Sequence, residues 1–213
     1  NEPGIAVMPE EMLRDEDGEI RPEFVERVTA AIEASDADAL RSLAGDLHEA
    51  DMGALLEALD AEQRPELIEL MGSEFDFTAL TQVDDTVRDD ILEELPAETV
   101  AEGVRDLDSD DAVEILQDLA KEDQAEILEQ LPASERVAIA RGLDYPEDSA
   151  GRRMQTEIIA VAPTWTVGQA IDYMRETSDL PDRFFEIYVA DEAGRFLGAV
   201  PLDRLLRAKR PVA

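Results

Sequence analysis

The chain has 213 residues, with 53 Asp and Glu against 19 Lys and Arg, and its formal net charge is therefore −34. A surface this acidic repels nucleic acid and anionic lipid headgroups, which excludes both as main partners. It favours divalent cations such as Mg²⁺, because these ions take oxygen ligands. The absence of cysteine excludes disulfides, thiolate zinc sites and cysteine nucleophiles.

Residues 1–23 are predicted to form an acidic leader that is flexible or partly ordered. They lack the basic and apolar regions of a signal peptide, and no run in the chain is apolar enough to span a bilayer, so we expect a soluble, cytoplasmic chain. Asp15 and Asp17 mimic ligands of an EF-hand loop, but Leu13 and Phe24 then occupy its essential first and twelfth positions. This stretch is predicted to be a polar turn before a helix.

An apolar residue recurs every twelve positions through the next part of the chain. These anchors are Leu47, Leu59, Met71, Val83, Leu95, Leu107, Leu119, Leu131 and Leu143. Further apolar residues three or four positions ahead of most anchors give the spacing of one helix face, and a residue that favours turns or caps follows nearly every anchor. Two amphipathic helices precede the repeat, in 22–34 and 36–47. The pattern predicts a superhelical solenoid of short helices over 24–144, with the anchors directed inward.

A different pattern, βαββα, follows Gly151. Residues 156–163 are typical of an apolar strand, and 166–178 of a helix with Thr166 as its N-cap. Two further strands, in 184–191 and 194–200, are joined by a hairpin turn, and Pro201 begins a last helix. The predicted fold is mainly α followed by α/β, in which a single small module occupies 155–213.

The stretch "YPEDSAGRRM", residues 145–154, is predicted to be a hinge between these two parts, with Gly151 supplying a position that tolerates φ > 0. It resembles the hinge of MgtE-type magnesium transporters, which reads approximately Y-x-E-D-x-A-G-x-x-M. The positions that match are Tyr145, Glu147, Asp148, Ala150, Gly151 and Met154. The segment "LHEADMGALLEAL", residues 47–59, is similar to the first solenoid repeat of that family, and the βαββα module is similar to one CBS repeat.

The resemblance implies the cytosolic part of such a transporter, which would lie at the cytoplasmic face of a membrane and regulate a pore domain absent from this chain. Residues 155–213 would be the first, truncated repeat of a CBS pair. Because CBS repeats pack in pairs, we expect the apolar strand faces around Ile158, Ile187, Val189 and Leu197 to lack a partner and to form a homodimer.

The segment "LDSDDAVEIL" contains the candidate metal ligands Asp110, Asp111 and Glu114, whose spacing places three carboxylates at one helix start. A bound cation would relieve their repulsion, and the resemblance implies Mg²⁺, with other divalent cations possible. The alternative needs no metal, because Ser109 would be the N-cap and acids in a first helical turn stabilise it by about 0.3 to 1 kcal/mol.

Other residues suggest no second site. His48 has no partner for a zinc site and is predicted to lie at a helix terminus or on the surface, and Trp165 and Tyr173 are predicted to pack within the CBS module. Many CBS pairs bind adenine nucleotides, but Pro201 and Arg204 replace the expected residues after the last strand, which argues against nucleotide binding by this repeat.

Two functions from different classes remain. The first is a Mg²⁺-sensing regulatory region, in which the acidic faces of solenoid and CBS module repel one another until Mg²⁺ bridges them. The second is a helical-repeat scaffold that binds protein partners, with acidity serving solubility in high salt. An enzyme is not predicted, because no set of nucleophile, base and orienting residue can be assembled.

Overall fold

The structure is a computed structural model that describes residues 13–15, 18–177, 180–181 and 184–212. The chain divides into two compact units, Asn1–Met154 and Gln155–Ala213. No helix in the described part of the chain combines the length and the apolar character that a membrane crossing requires. Most of the predicted acidic leader lies outside the described residues. Of the part that is described, Leu13 is buried in the core of the first unit, and Arg14 pairs with Asp51.

The first unit is a succession of short helices. From Pro22 onward its α-helices are α1 (Pro22–Glu33), α2 (Ala37–Ala44), α3 (Glu49–Ala58), α4 (Gln63–Met71), α5 (Asp85–Glu94), α6 (Ala97–Arg105), α7 (Ser109–Leu116), α8 (Lys121–Gln130) and α9 (Ala133–Asp144). They share one hydrophobic core that extends from Leu13 to Leu143. Because helices of two or three turns are marginal alone, this shared core is what stabilises each of them.

The twelve-residue repeat corresponds to the junctions between helices. Leu95 and Leu131 end their helices in an extended conformation, and Pro96 and Pro132 are the N-caps of the helices that follow. Seven of the nine anchors are buried, and Leu47 and Leu107 are partly buried against the same core. The predicted inward direction of the anchors is confirmed.

One unit of the repeat differs from the prediction of α-helix. After α4 the chain forms two 3₁₀ helices, Gly72–Glu74 and Phe77–Gln82. Gly72 has φ +59° and ends α4, and the buried rings of Phe75 and Phe77 then pack edge to face at 5.4 Å. Among the described residues before Gly151 the only β pairing is one isolated bridge, between Arg14 and Ile20.

The second unit is the predicted α/β module. It contains β1 (Ala160–Val161), α10 (Val167–Glu176), β2 (Glu186–Ala190), β3 (Phe196–Pro201) and α11 (Leu202–Arg207). The sheet order is β1-β2-β3, with β1 parallel and β3 antiparallel to β2. Thr166 caps α10 in a capping box with Gln169, as predicted. The first strand is shorter than expected.

The apolar faces of the module differ in part from the prediction. Ile187 is 1% exposed because it shares the core of the module with Ala170 of α10 and Leu205 of α11, and Val189 is partly buried against the same core. Ile158 and Leu197 are exposed, as expected. Phe185 and Phe196, which the apolar pattern of the sequence did not indicate, are 86% and 67% exposed. The module therefore has uncovered apolar surface, although not at every predicted position.

The predicted hinge forms a 3₁₀ turn, Ala150–Arg153, at the end of the first unit. The interpretation of Gly151 is wrong, because it is not among the positive-φ glycines of the described residues. A side chain is instead excluded by the ring of Tyr145, which lies 2.7 Å from where a β-carbon on Gly151 would be. The glycine is therefore required by a close packing contact and not by its backbone angles.

Candidate functional site

The site is built on the first turn of α7. Asp108 is the N-cap residue, and Ser109, predicted to be the cap, is instead the first helical residue and is buried. The predicted position of Asp110 and Asp111 in the first turn is confirmed. The cap prediction failed because the twelve-residue repeat places the residue after each anchor, here Asp108 after Leu107, outside the helix.

Two contacts fix α7 within the solenoid. A β-carbon on Gly142 would clash with Cγ2 of Val113, so the absence of a side chain lets α9 approach α7 closely. At the other end, Nε2 of Gln124 lies within hydrogen-bonding distance of the carbonyl oxygens of Leu116, Gln117 and Leu119. Gln124 thus adds a side-chain donor at the end of α7, where the last carbonyl groups have no i+4 partner within the helix.

The structure brings the three predicted ligands to one small cavity of about 70 Å³. It is lined by Asp110, Asp111, Glu114, Gln117, Arg152 and Arg153. All six residues belong to the first unit. A polar cavity of this size has room for an ion or for water.

Asp111 is the most perturbed of these carboxyl groups. Burial, followed by repulsion from Asp110, Asp108, Glu114 and Glu49, raises its pKa from 3.8 to about 6. A helix N-terminus alone would favour the charged form and lower the pKa of an acid. Desolvation and carboxylate crowding therefore outweigh the helix dipole, and the predicted repulsion is present. Glu49, at the start of α3, also contributes to this repulsion, and nothing in the sequence indicates that it lies near Asp111.

The donor set fits a hydrated cation better than a closed metal cage. Oδ1 of Asp110 is buried and has no hydrogen-bond partner among the described residues. In the same part of the chain, no three His, Asp or Glu side chains converge on one metal position. Mg²⁺ usually retains several waters and binds through only one or two carboxylates, so convergence of three is not required.

Glu114 also faces a buried arginine that nothing in the sequence indicates. The side chain of Arg88, on α5, is 1% exposed, and its Nη1 lies 3.9 Å from Oε1 of Glu114. Its Nη2 lies 2.7 Å from Oδ1 of Asp85 and 3.5 Å from Oδ2 of Asp118. Arg88 therefore links α5 to α7 and to the turn after α7.

Arg152 is the second buried arginine near the site. It is 8% exposed, its Nη1 donates to the carbonyl oxygen of Gly142 at 3.3 Å, and its Nε has no partner among the described residues. The sequence marks Arg152 only as one of two adjacent arginines in an acidic chain. Its burial beside the three acids results from tertiary packing and cannot be read from its local sequence.

The remaining candidates are structural. Nδ1 of His48 accepts from the backbone N–H of Ala50 and caps α3, which confirms its predicted place at a helix terminus. Trp165 and Tyr173 pack edge to face at 5.4 Å against the core of the second unit, also as predicted.

Two other concave surfaces contain none of the candidate ligands. A cleft of about 670 Å³ in the first unit has the buried Phe75 and Phe77 in its wall and several acids around them. A groove of about 370 Å³ in the second unit is lined, among the described residues, by 160–164 and 190–192, which include Asp191 and Glu192. These two acids would repel a polyphosphate.

Comparison with known proteins identifies both units. Residues 47–148 match the family described as the MgtE intracellular N domain, and residues 150–210 match the CBS domain. A 71-residue segment is 37% identical to the magnesium transporter MgtE of Thermus thermophilus. That alignment covers 33% of this chain and 15% of the transporter, so the chain spans only a small part of that relative.

Two solved structures have the same fold. The cytosolic domain of the Mg²⁺ channel MgtE in complex with ATP has a TM-score of 0.74 and 25% identity, covering 88% of this chain and 77% of that one. The soluble part of a magnesium transporter has a TM-score of 0.70 and 22% identity, covering 89% and 75%.

Proposed function

Because the chain belongs to the MgtE magnesium transporters, as a cytosolic regulatory part made of an MgtE intracellular N domain and a CBS domain, we propose that its acidic α7 site senses Mg²⁺. Such a domain of a transporter is not an enzyme, as the sequence predicts. Asp110 and Asp111 are the proposed principal ligands, and Glu114 is the third. The proposed target of regulation is the membrane pore of the full-length protein.

The observation that carries the proposal is the position of Asp110, Asp111 and Glu114 around one small cavity, where burial and crowding raise the pKa of Asp111. A carboxyl group whose ionised form is destabilised by burial and by four neighbouring carboxylates gains most from a nearby cation. The buried Oδ1 of Asp110, which has no partner among the described residues, offers an acceptor at the same helix start. Mg²⁺ would satisfy this acceptor directly or through a bound water, and would reduce the repulsion around Asp111.

Sensing follows from the energetics of binding. A ligand that binds the folded arrangement of carboxylates stabilises that arrangement, and it shifts any equilibrium whose states differ in affinity for it. As the Mg²⁺ concentration rises, the α7 site would therefore become more rigid and less negatively charged. In the full-length protein this change in charge and order is the proposed signal to the pore.

The test compares thermal midpoints in MgCl₂ and in NaCl at equal ionic strength, because ordinary salt also screens carboxylate repulsion. Asp110→Asn with Asp111→Asn should remove most of the Mg²⁺-specific stabilisation. The matched control is Glu122→Gln with Asp123→Asn, an exposed acidic pair in the first turn of α8, which should retain it. Equal midpoint shifts by the two salts in all three proteins would refute Mg²⁺ sensing. The acidity would then serve solubility, as in the scaffold alternative.

A further inference from the structure

Arg88 occupies an unusual position for a charged side chain. It is 1% exposed, whereas the side chains of its partners Asp85, Glu114 and Asp118 are 81%, 43% and 46% exposed. The guanidinium is therefore inside the solenoid, and the three carboxylates cover it from the solvent side. Each of the three carboxylates therefore remains accessible to a second cation.

The guanidinium does not hold its partners equally. The contact with Asp85 is 2.7 Å, whereas the contacts with Asp118 and Glu114 are 3.5 Å and 3.9 Å. A charge-assisted hydrogen bond is about 2.7 to 2.9 Å long, so the contact with Glu114 is an ion pair without a short hydrogen bond. Arg88 can release Glu114 and keep its strongest partner.

We infer that Arg88 is an intramolecular competitor for Glu114. Its guanidinium holds the carboxylate that a divalent cation at Asp110 and Asp111 would also attract, and it thereby sets the cation affinity of the α7 site. This inference rests on the function proposed above and adds a residue that determines affinity. A site with such an internal competitor responds at higher cation concentrations than the same carboxylates would alone.

The direction of the effect follows from the charges. Removing the guanidinium leaves Glu114 without its cation and lowers the positive potential near the cavity, so both changes strengthen divalent cation binding. Lysine at the same position retains the charge. A role limited to packing predicts the opposite result, because loosening the contact between α5 and α7 would disorder the site and weaken binding.

The experiment measures the Kd for Mg²⁺ from amide chemical shifts at the start of α7 in the whole chain. Arg88→Met, which retains a long apolar side chain, should lower the Kd about three- to tenfold. Arg88→Lys should stay within about twofold of the parent. The control Arg105→Met removes a 53% exposed arginine from the solenoid surface and should also have little effect.

A double-mutant cycle tests whether Arg88 acts through Glu114. In the Glu114→Gln background, Arg88→Met should lower the Kd by much less than it does in the parent. An equal gain in both backgrounds, an unchanged or raised Kd in Arg88→Met, or an equal gain in Arg88→Lys would overturn the inference.

A measurement on the unsubstituted chain covers the case in which Arg88→Met does not fold. The Nε–H resonance of Arg88 should shift with Mg²⁺ at the same Kd as the amides of α7, and an unmoved resonance would overturn the inference. Absence of any Mg²⁺-specific shift at α7 in the parent would refute the proposed function and the inference together. Normal binding by the parent, with no response of Arg88, would refute the inference alone.

Discussion

The ring of Tyr145 lies against Gly151, so that a β-carbon at residue 151 would come within 2.7 to 2.9 Å of three ring atoms. The three atoms are at and beside the attachment point of the ring, where the side chain has little freedom to move. This contact holds the 3₁₀ turn that carries Arg152 close to the end of α9. Both residues belong to the segment that the sequence marked as a hinge.

We therefore predict that Gly151→Ala lowers the free energy of unfolding by about 1 to 3 kcal/mol, the usual cost of overpacking. The control is Gly198→Ala, since a β-carbon there meets nothing within 4 Å. Urea denaturation monitored by circular dichroism measures both variants. Equal stability of the two would show that the ring contact does not constrain the turn.

Gln124 should contribute to stability through its buried amide. It is 3% exposed and lies within hydrogen-bonding distance of the carbonyl oxygens of Leu116, Gln117 and Leu119, so its loss would remove a buried donor from the end of α7. Gln124→Ala is expected to cost about 1 to 3 kcal/mol, whereas Gln130→Ala, at an exposed position of the same helix, should cost less than about 0.5 kcal/mol. Denaturant midpoints would reveal the difference. A similar small cost for both would contradict the proposed capping role.

Asp111 should make the fold less stable at neutral pH than at mildly acidic pH. Its pKa of about 6 lies above the ordinary value of 3.8, so the folded chain binds this proton more tightly than the unfolded chain. The contribution of this proton to the free energy of unfolding is fully present below about pH 4 and is lost as the pH rises through about 6. Asp111→Asn, measured without divalent cations, should therefore raise stability at pH 7.5, by about 1 kcal/mol after allowance for solvent screening, and should change it little at pH 4.

The control for this pH dependence is Asp123→Asn, which removes an exposed acid from the first turn of α8. Such an acid normally stabilises a helix start, so this substitution should cost about 0.3 to 1 kcal/mol at pH 7.5. Opposite signs for the two variants are expected. Destabilisation by both at pH 7.5 would mean that Asp111 is an ordinary first-turn acid.

The second unit should mediate self-association. Phe185, Phe196 and Leu206 are each at least 65% exposed, and large apolar side chains rarely stay uncovered in numbers on a monomer. We expect sedimentation velocity to show a dimer at high protein concentration and Phe196→Glu to favour the monomer. Val137→Glu, at a 66% exposed apolar position of α9, should leave the dimer intact. A parent that remains monomeric at high concentration would contradict this prediction.

Features that repeat along the chain could be predicted from the sequence. The twelve-residue spacing predicted the succession of short helices because each unit contains the same local pattern, an apolar helix face followed by a turn. Thr166 and its capping box were likewise predictable, because a cap depends on neighbours within one helical turn. Asp110 and Asp111 were placed in a first turn for the same reason.

The parts that could not be predicted depend on contacts between residues far apart in the chain. Arg88 and Glu49 lie on other helices than Asp111, and nothing in their local sequence indicates burial or proximity to it. The role of Gly151 was misjudged because local preference allowed two interpretations and tertiary packing selected the other one. The cap was misjudged for a different reason, because Ser109 was preferred over Asp108 although Asp108 directly follows the anchor Leu107. Ile187 was misjudged because the packing of α10 and α11 residues against the sheet, and not the strand itself, determines which of its side chains are buried.

The most direct test of the central claim is paramagnetic broadening by Mn²⁺, which accepts the same oxygen ligands as Mg²⁺ and marks nearby amides in a heteronuclear correlation spectrum. Low concentrations of Mn²⁺ should broaden the amides of residues 109–114 before those at the start of α8, and excess Mg²⁺ should restore them while isoionic NaCl should not. Broadening that is spread evenly over the acidic surface, or that Mg²⁺ and NaCl reverse equally, would contradict a Mg²⁺ site at α7.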